Sequence, residues 1–262
     1  MSTAVFGVQE IELDGLMSAA SLLFQAGRRP DRAAVRELAA RERDFAVSLE
    51  PDLAPGPDPS GRGDWIELVI HGLTFDLTGL APRQPAPPPE AGHFYGLEPT
   101  IGARNLEAVT LVPGPHLAGG QQLLPVLRSH ALLAARLAAL PGVVAVAWHA
   151  ARSWSAPEFF RGNVLRWIDG GAFPALGLAA LSTTESGGMV SEGLALFTGQ
   201  ELELDARLAE DRADAARIAL RLMHWLVENG AVDQRETLTG PSGELLHLEP
   251  SPNQRLIKVW KT

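Results

Sequence analysis

An eleven-residue segment occurs twice in this chain, and the repeat limits its architecture more than any other feature. Ala4-Val5-Phe6-Gly7-Val8-Gln9-Glu10-Ile11-Glu12-Leu13-Asp14 returns as Ala195-Leu196-Phe197-Thr198-Gly199-Gln200-Glu201-Leu202-Glu203-Leu204-Asp205, with seven of the eleven positions identical. The first copy alternates with period two, the mark of a strand, and each copy runs on toward a helical pattern. The expectation is two related units, each opening with a strand, packed in one fold.

Composition sets the class around that repeat. A chain of 262 residues, 46% apolar and 20% charged, buries a large core as one big domain or two ordinary ones. It has no cysteine, which excludes disulfides, thiolate metal sites and cysteine nucleophiles. Neither a basic leader with an apolar run nor an apolar stretch of membrane-spanning length is present, so a cytoplasmic protein without a membrane partner is expected. The net charge is -9, and all but two of the 22 basic residues are arginines, the exceptions being Lys258 and Lys261. The densest basic group, Arg28, Arg29, Arg32, Arg36, Arg41 and Arg43, is interleaved with Asp31, Glu37, Glu42 and Asp44. It forms no continuous positive face for a phosphate backbone, and nucleic acid is not an expected partner.

The pattern along the chain predicts a helix over Leu16 to Ala26, a second helix from an Asp31 cap to about Arg43, and a short strand to Leu49. Pro51 to Asp64 is too rich in proline and glycine for either structure. Trp65 to Leu77 reads as a hairpin turning at His71-Gly72, and Ala81 to Gly92 as an exposed polyproline connector. Next come a strand at Leu106 to Val112, a helix from about Gly119 to Leu140 and a strand at Val143 to His149, a βαβ order. A helix follows from Pro157 to Asp169, then a strand at Ala175 to Thr184 and a long strand from Val190 to Leu204. The last helix, Ala209 to Glu228, carries an apolar stripe through Ala209, Ala213, Ala216, Leu220, Met223 and Val227, and Asn229-Gly230 closes it. Glu236 to Trp260 reads as two or three short strands.

Chemical signatures are weak. Gly114-Pro115-His116-Leu117-Ala118-Gly119 has the spacing of an anion-binding loop before a helix, but no lysine or hydroxyl follows it, so no nucleotide is expected. The histidines at 71, 93, 116, 130, 149, 224 and 247 never pair at the helical spacing a zinc site uses. His149 and His224 sit in apolar elements and read as hydrogen-bonded core residues. No Gly-x-Ser-x-Gly elbow is present; the hydroxyl-rich turn Ser182 to Gly188 is where a serine-based site would lie. In a strand, Glu10 pairs with Glu12 and Glu201 with Glu203 on one face, and four such carboxylates brought together would suit calcium or magnesium. A solvent-facing sheet is the simpler reading of these four acids, so neither metal nor cofactor is expected, and Trp148, Trp167, Phe197 and Trp225 are expected in one core.

Trp154, Pro157-Glu158-Phe159-Phe160, Trp167 and Ser191-Glu192-Gly193-Leu194 leading into Phe197-Thr198-Gly199-Gln200-Glu201-Leu202-Glu203 resemble the C-terminal pattern of the bacterial family DUF4261. Ser191 replaces the family's threonine and Thr198 its glycine. The resemblance covers roughly residues 106 to 232, and the family brings no assigned activity to carry over. The expected fold is α+β: a mixed, largely antiparallel sheet with helices packed on one side. Its two pseudo-repeated halves, residues 1–92 and 93–262, are joined through the proline-rich stretch or run on as one domain. The expected function is a non-enzymatic binding or interaction protein of the bacterial cytoplasm whose partner is another protein. A hydrolase with a dispersed site and an immunity protein meeting a basic effector are the alternatives.

Overall fold

A computed structural model describes residues 18–51, 65–97 and 105–262. The first copy of the repeat, with Glu10 and Glu12, lies outside the described residues, as does most of the segment from Pro51 to Asp64. The expected helix over Leu16 to Ala26 is instead occupied by strand β1 (Ala20–Gln25). Its residues Ala20 to Phe24 are buried on both faces, and a strand buried on both faces loses alternation and reads as a continuous apolar run.

The next elements follow the pattern: α1 (Arg32–Glu42), β2 (Ala46–Leu49), β3 (Trp65–Ile70) and β4 (Leu73–Thr78). Asp31 caps α1 by accepting from the Ala34 N–H at 2.9 Å. After β5 (His93–Tyr95) come β6 (Leu106–Pro113), α2 (Leu124–Leu137), β7 (Val143–Trp148) and β8 (Ser153–Ser155). These strands form one sheet in the order β2-β3-β4-β6-β1-β7-β8-β5, antiparallel except for β5 beside β8. Both β6 and β7 pair antiparallel with β1 and so run parallel to each other, which makes β6-α2-β7 a split βαβ unit. The sheet draws strands from both sides of residue 92.

Helices cover one face of this sheet. The other face buries Leu23, Leu106, Ala108, Ala145, Ala147 and Trp154. Ala86 and Ala91 of the expected exposed connector pack on that second face, and the Ala108 N–H donates to the Ala86 carbonyl at 3.0 Å. Proline-rich backbone suits this task, because it covers apolar surface without presenting a full set of N–H groups.

Beyond α3 (Pro157–Ile168), a second sheet is built from β9 (Ala180–Thr183), β10 (Met189–Glu192), β11 (Glu201–Leu204), β12 (Glu236–Thr239), β13 (Leu245–Pro250) and β14 (Leu256–Lys261). Its order is β12-β13-β14-β11-β10-β9, antiparallel except for β11 beside β14. The long strand expected from Val190 to Leu204 is broken by the one-turn helix α4 (Ala195–Thr198). Gly193 causes the break: its φ is +86, and an added Cβ would lie 2.8 Å from the backbone of Ala150 and Ala151. The second repeat copy is therefore half helix, so its expected character as one strand does not hold.

The last helix, α5 (Arg212–Asn229), packs on the second sheet. The layers on the two sheets share an aromatic core. Trp148 and Trp167 are buried, and each stands 6.2 Å from the Phe197 ring; Trp225 packs half-buried at the margin. No helix among the described residues is long and apolar enough to cross a membrane.

Candidate functional site

Helix α5 carries more apolar surface than its sheet covers. Asp211 caps it, accepting from the N–H groups of Ala213 and Asp214 at 2.8 and 3.1 Å, and Gly230 closes it by donating to the Leu226 carbonyl. The residues that reach the core are Ala215, Ile218, Ala219, Leu222, Met223, Leu226 and Val227. The expected stripe was therefore rotated: Met223 and Val227 are buried, whereas Ala213 is exposed and Ala216 and Leu220 stay half-exposed.

Two hollows flank the helix. On the side of α3 and the 172–176 loop, a hollow of about 480 Å³ is walled by Phe159, Phe173, Leu176 and Leu220, with Asn163 and His224 at its edge. On the side of the β12–β13 hairpin, a second, of about 220 Å³, is walled by Leu222, Trp225, Leu238, Pro241 and Leu246. Apolar walls with a few fixed polar groups are what a binding site needs. Arg221 lines both hollows. A third hollow of about 380 Å³ adjoins the second and is polar, with Arg217, Asp214, Glu244 and Lys261 among its walls; there Arg217 and Asp214 pair with each other.

The polar groups at the first hollow are held in place. The Phe173 N–H donates to His224 Nδ1 at 3.2 Å, so the ring proton sits on Nε2, which faces Glu228 at 3.5 Å. Asn163 donates to the Phe159 carbonyl at 2.8 Å and accepts from Arg166 at 2.6 Å.

A second polar cluster lies where the sheets meet. His93 Nε2 is 2.8 Å from Glu192 Oε2, and Arg152 is 3.5 Å from the other oxygen. Beside them the Tyr95 hydroxyl has its pKa pushed up to about 12, by burial first and by the Glu192 carboxylate second.

Glu201, expected on a solvent-facing sheet, is part-buried and held by hydrogen bonds instead. Its carboxylate accepts from the Ser191 hydroxyl and from the N–H groups of Gly193, Leu194 and Ala195, the last three at 2.9, 3.3 and 3.0 Å. Gln200 is tied in the same way, its side chain bonding both the carbonyl and the N–H of Val232. The motif-like stretch Ser191 to Glu201 is thus a structural knot around α4, tied at the helix's start. Glu203 stands in register with Lys258 on β14.

The other sequence candidates have local roles. Leu117 ends a 3₁₀ turn from Pro115, and α2 begins only at Leu124, so the glycine loop does not open a helix. Gly114 is required because a Cβ there would stand 2.9 Å from the Thr74 carbonyl. In the hydroxyl-rich turn, Thr184 and Ser186 bond each other at 2.9 Å. His130 is buried between Phe75 and Trp148 and bonds the Leu111 carbonyl at 3.2 Å. His149, just past β7, bonds the Ser21 hydroxyl at 2.9 Å. Burial lowers the pKa of each to about 4, so both imidazoles are neutral at pH 7. No family model, curated protein or solved structure matches this chain.

Proposed function

We propose that this chain is a binding protein whose partner is another protein, and that the α5 surface makes the contact. The observation that carries the reading is the pair of apolar hollows on either side of one helix, half-exposed where most other apolar side chains among the described residues pack inside. Two separate hollows suit side-chain anchors on a partner, because such anchors fill adjacent pockets while the ridge between them is bridged by backbone. The test is selection of random dodecapeptides displayed on phage. Peptides enriched on the native chain should bind the Leu220→Arg variant at least tenfold more weakly; equal binding to both would contradict the reading.

The hydrolase alternative has one observation in its favour, the His93–Glu192 pair, since a carboxylate on one ring nitrogen orients the other as a base. Hydrolysis of p-nitrophenyl acetate that disappears in His93→Gln would support it.

A further inference from the structure

Resting on the reading of α5 as a protein-binding surface, we infer that its partner presents an extended segment in which two apolar side chains, four residues apart, flank a carboxylate. Arg221 stands on the ridge between the two hollows. One turn away from it along α5 lie Arg217, Ile218, His224 and Trp225, none of them acidic. Its guanidinium makes no ion pair among the described residues. The nearest carboxylates on the exposed arc of the helix stand two turns away and are engaged elsewhere, Asp214 with Arg217 and Glu228 facing His224. An unpaired guanidinium between two apolar hollows is the group best suited to a planar anion, because it offers paired donors and tolerates apolar neighbours. The chain as a whole carries -9, so long-range attraction does not bring an acidic segment here. The preference for an anion is local, and it selects by position.

Spacing fixes the rest. At 100° per residue, Leu220 and His224 project to one side of α5, Ile218, Leu222 and Trp225 to the other, and Arg221 between them. A helix with its side chains is roughly 10–12 Å across, so anchors seated on its two sides stand about that far apart. An extended chain advances roughly 3.3 Å per residue and points every second side chain to the same face. Residues i and i+4 therefore span about 13 Å, and residue i+2 falls between them on the same side, over Arg221. The register is apolar, any, acidic, any, apolar.

Fluorescein-labelled Gly-Phe-Ser-Glu-Ser-Leu-Gly tests this by anisotropy, beside a version with Lys for Glu and one with Ala for both Phe and Leu. The Glu peptide should bind at least tenfold more tightly than either, Arg221→Gln should remove the preference for Glu over Lys, and Arg221→Glu should reverse it. Arg221 is exposed, so circular dichroism of both variants should match the native chain. The inference is overturned if Glu and Lys peptides bind alike, if the Ala version binds as well, if none binds, or if dodecanoate displaces the Glu peptide at equal concentration. Display-selected peptides that need Leu220 but ignore Arg221 would sink this inference alone; peptides indifferent to Leu220 would sink the protein-binding reading with it.

Discussion

Tyr95 is the only tyrosine in the chain, which makes one residue's environment directly measurable. Its hydroxyl is pushed up to about 12 by burial and then by Glu192. A spectrophotometric titration of the folded protein should therefore show almost no tyrosinate at pH 10.5, while the urea-unfolded chain half-ionises near the ordinary value of about 10. Tyrosinate forming near 10 in the folded state would mean that the seam between the sheets is open to water. Glu201 gives the second prediction at this scale. Replacing it by alanine leaves three N–H groups and a hydroxyl without their acceptor, a loss on the order of 3 kcal/mol in urea unfolding, whereas Glu201→Gln keeps one oxygen and should lose less. A native-like midpoint for the alanine variant would show that water replaces the carboxylate. In the sequence, Glu201 and Glu203 differ only in position along a strand pattern. The amides that claim Glu201 come from a turn created by Gly193, and spacing alone could not reveal that turn.

Among the elements, several were legible. The β3–β4 hairpin with its turn at His71-Gly72, the stop of α5 at Asn229-Gly230, and the β6-α2-β7 order all follow from local pattern. Others were not, strand β1 and the facing of α5 among them. Strand β1 lies between β6 and β7 and is buried on both faces, so the information that separates it from a buried helix is in its neighbours. On α5 the difficulty was the reverse: apolar residues occupy so wide an arc that more than one stripe can be drawn, and only packing decides which stripe faces the sheet. Leu220 marks the difference. As a half-exposed wall of a hollow, its change to arginine should alter the unfolding free energy by less than about 0.5 kcal/mol while weakening peptide binding. A loss of about 2 kcal/mol or more, the cost of a core leucine, would place it in the core and remove the hollow from consideration.

At the scale of the molecule, the two sheets are held by a shared aromatic core, and neutral histidines sit within the layers of the first. The unfolded chain protonates His130 and His149 near the ordinary value of about 6.5, and the folded chain only near 4. Each imidazole therefore favours unfolding progressively as pH falls from about 6.5 to 4, by roughly 3 kcal/mol at the low end, and has no such effect above that window. His149→Gln, which can still bond Ser21, should lose less stability than the native chain between pH 6.5 and 4.5; parallel losses would show that His149 protonates without opening the fold. Neither histidine's burial was visible in the sequence beyond its apolar neighbours, because the layers that enclose them come from distant segments. The measurement that bears most directly on the central claim is ¹H–¹⁵N shift mapping of the native chain with a display-selected peptide. The Trp225 indole and Arg221 Nε signals should move together with the amides of Ala172, Phe173, Ala175 and Leu176 and of Leu238, Thr239 and Gly240, on both sides of α5. Shifts that leave these signals in place and gather around His93 and Glu192 would contradict that claim.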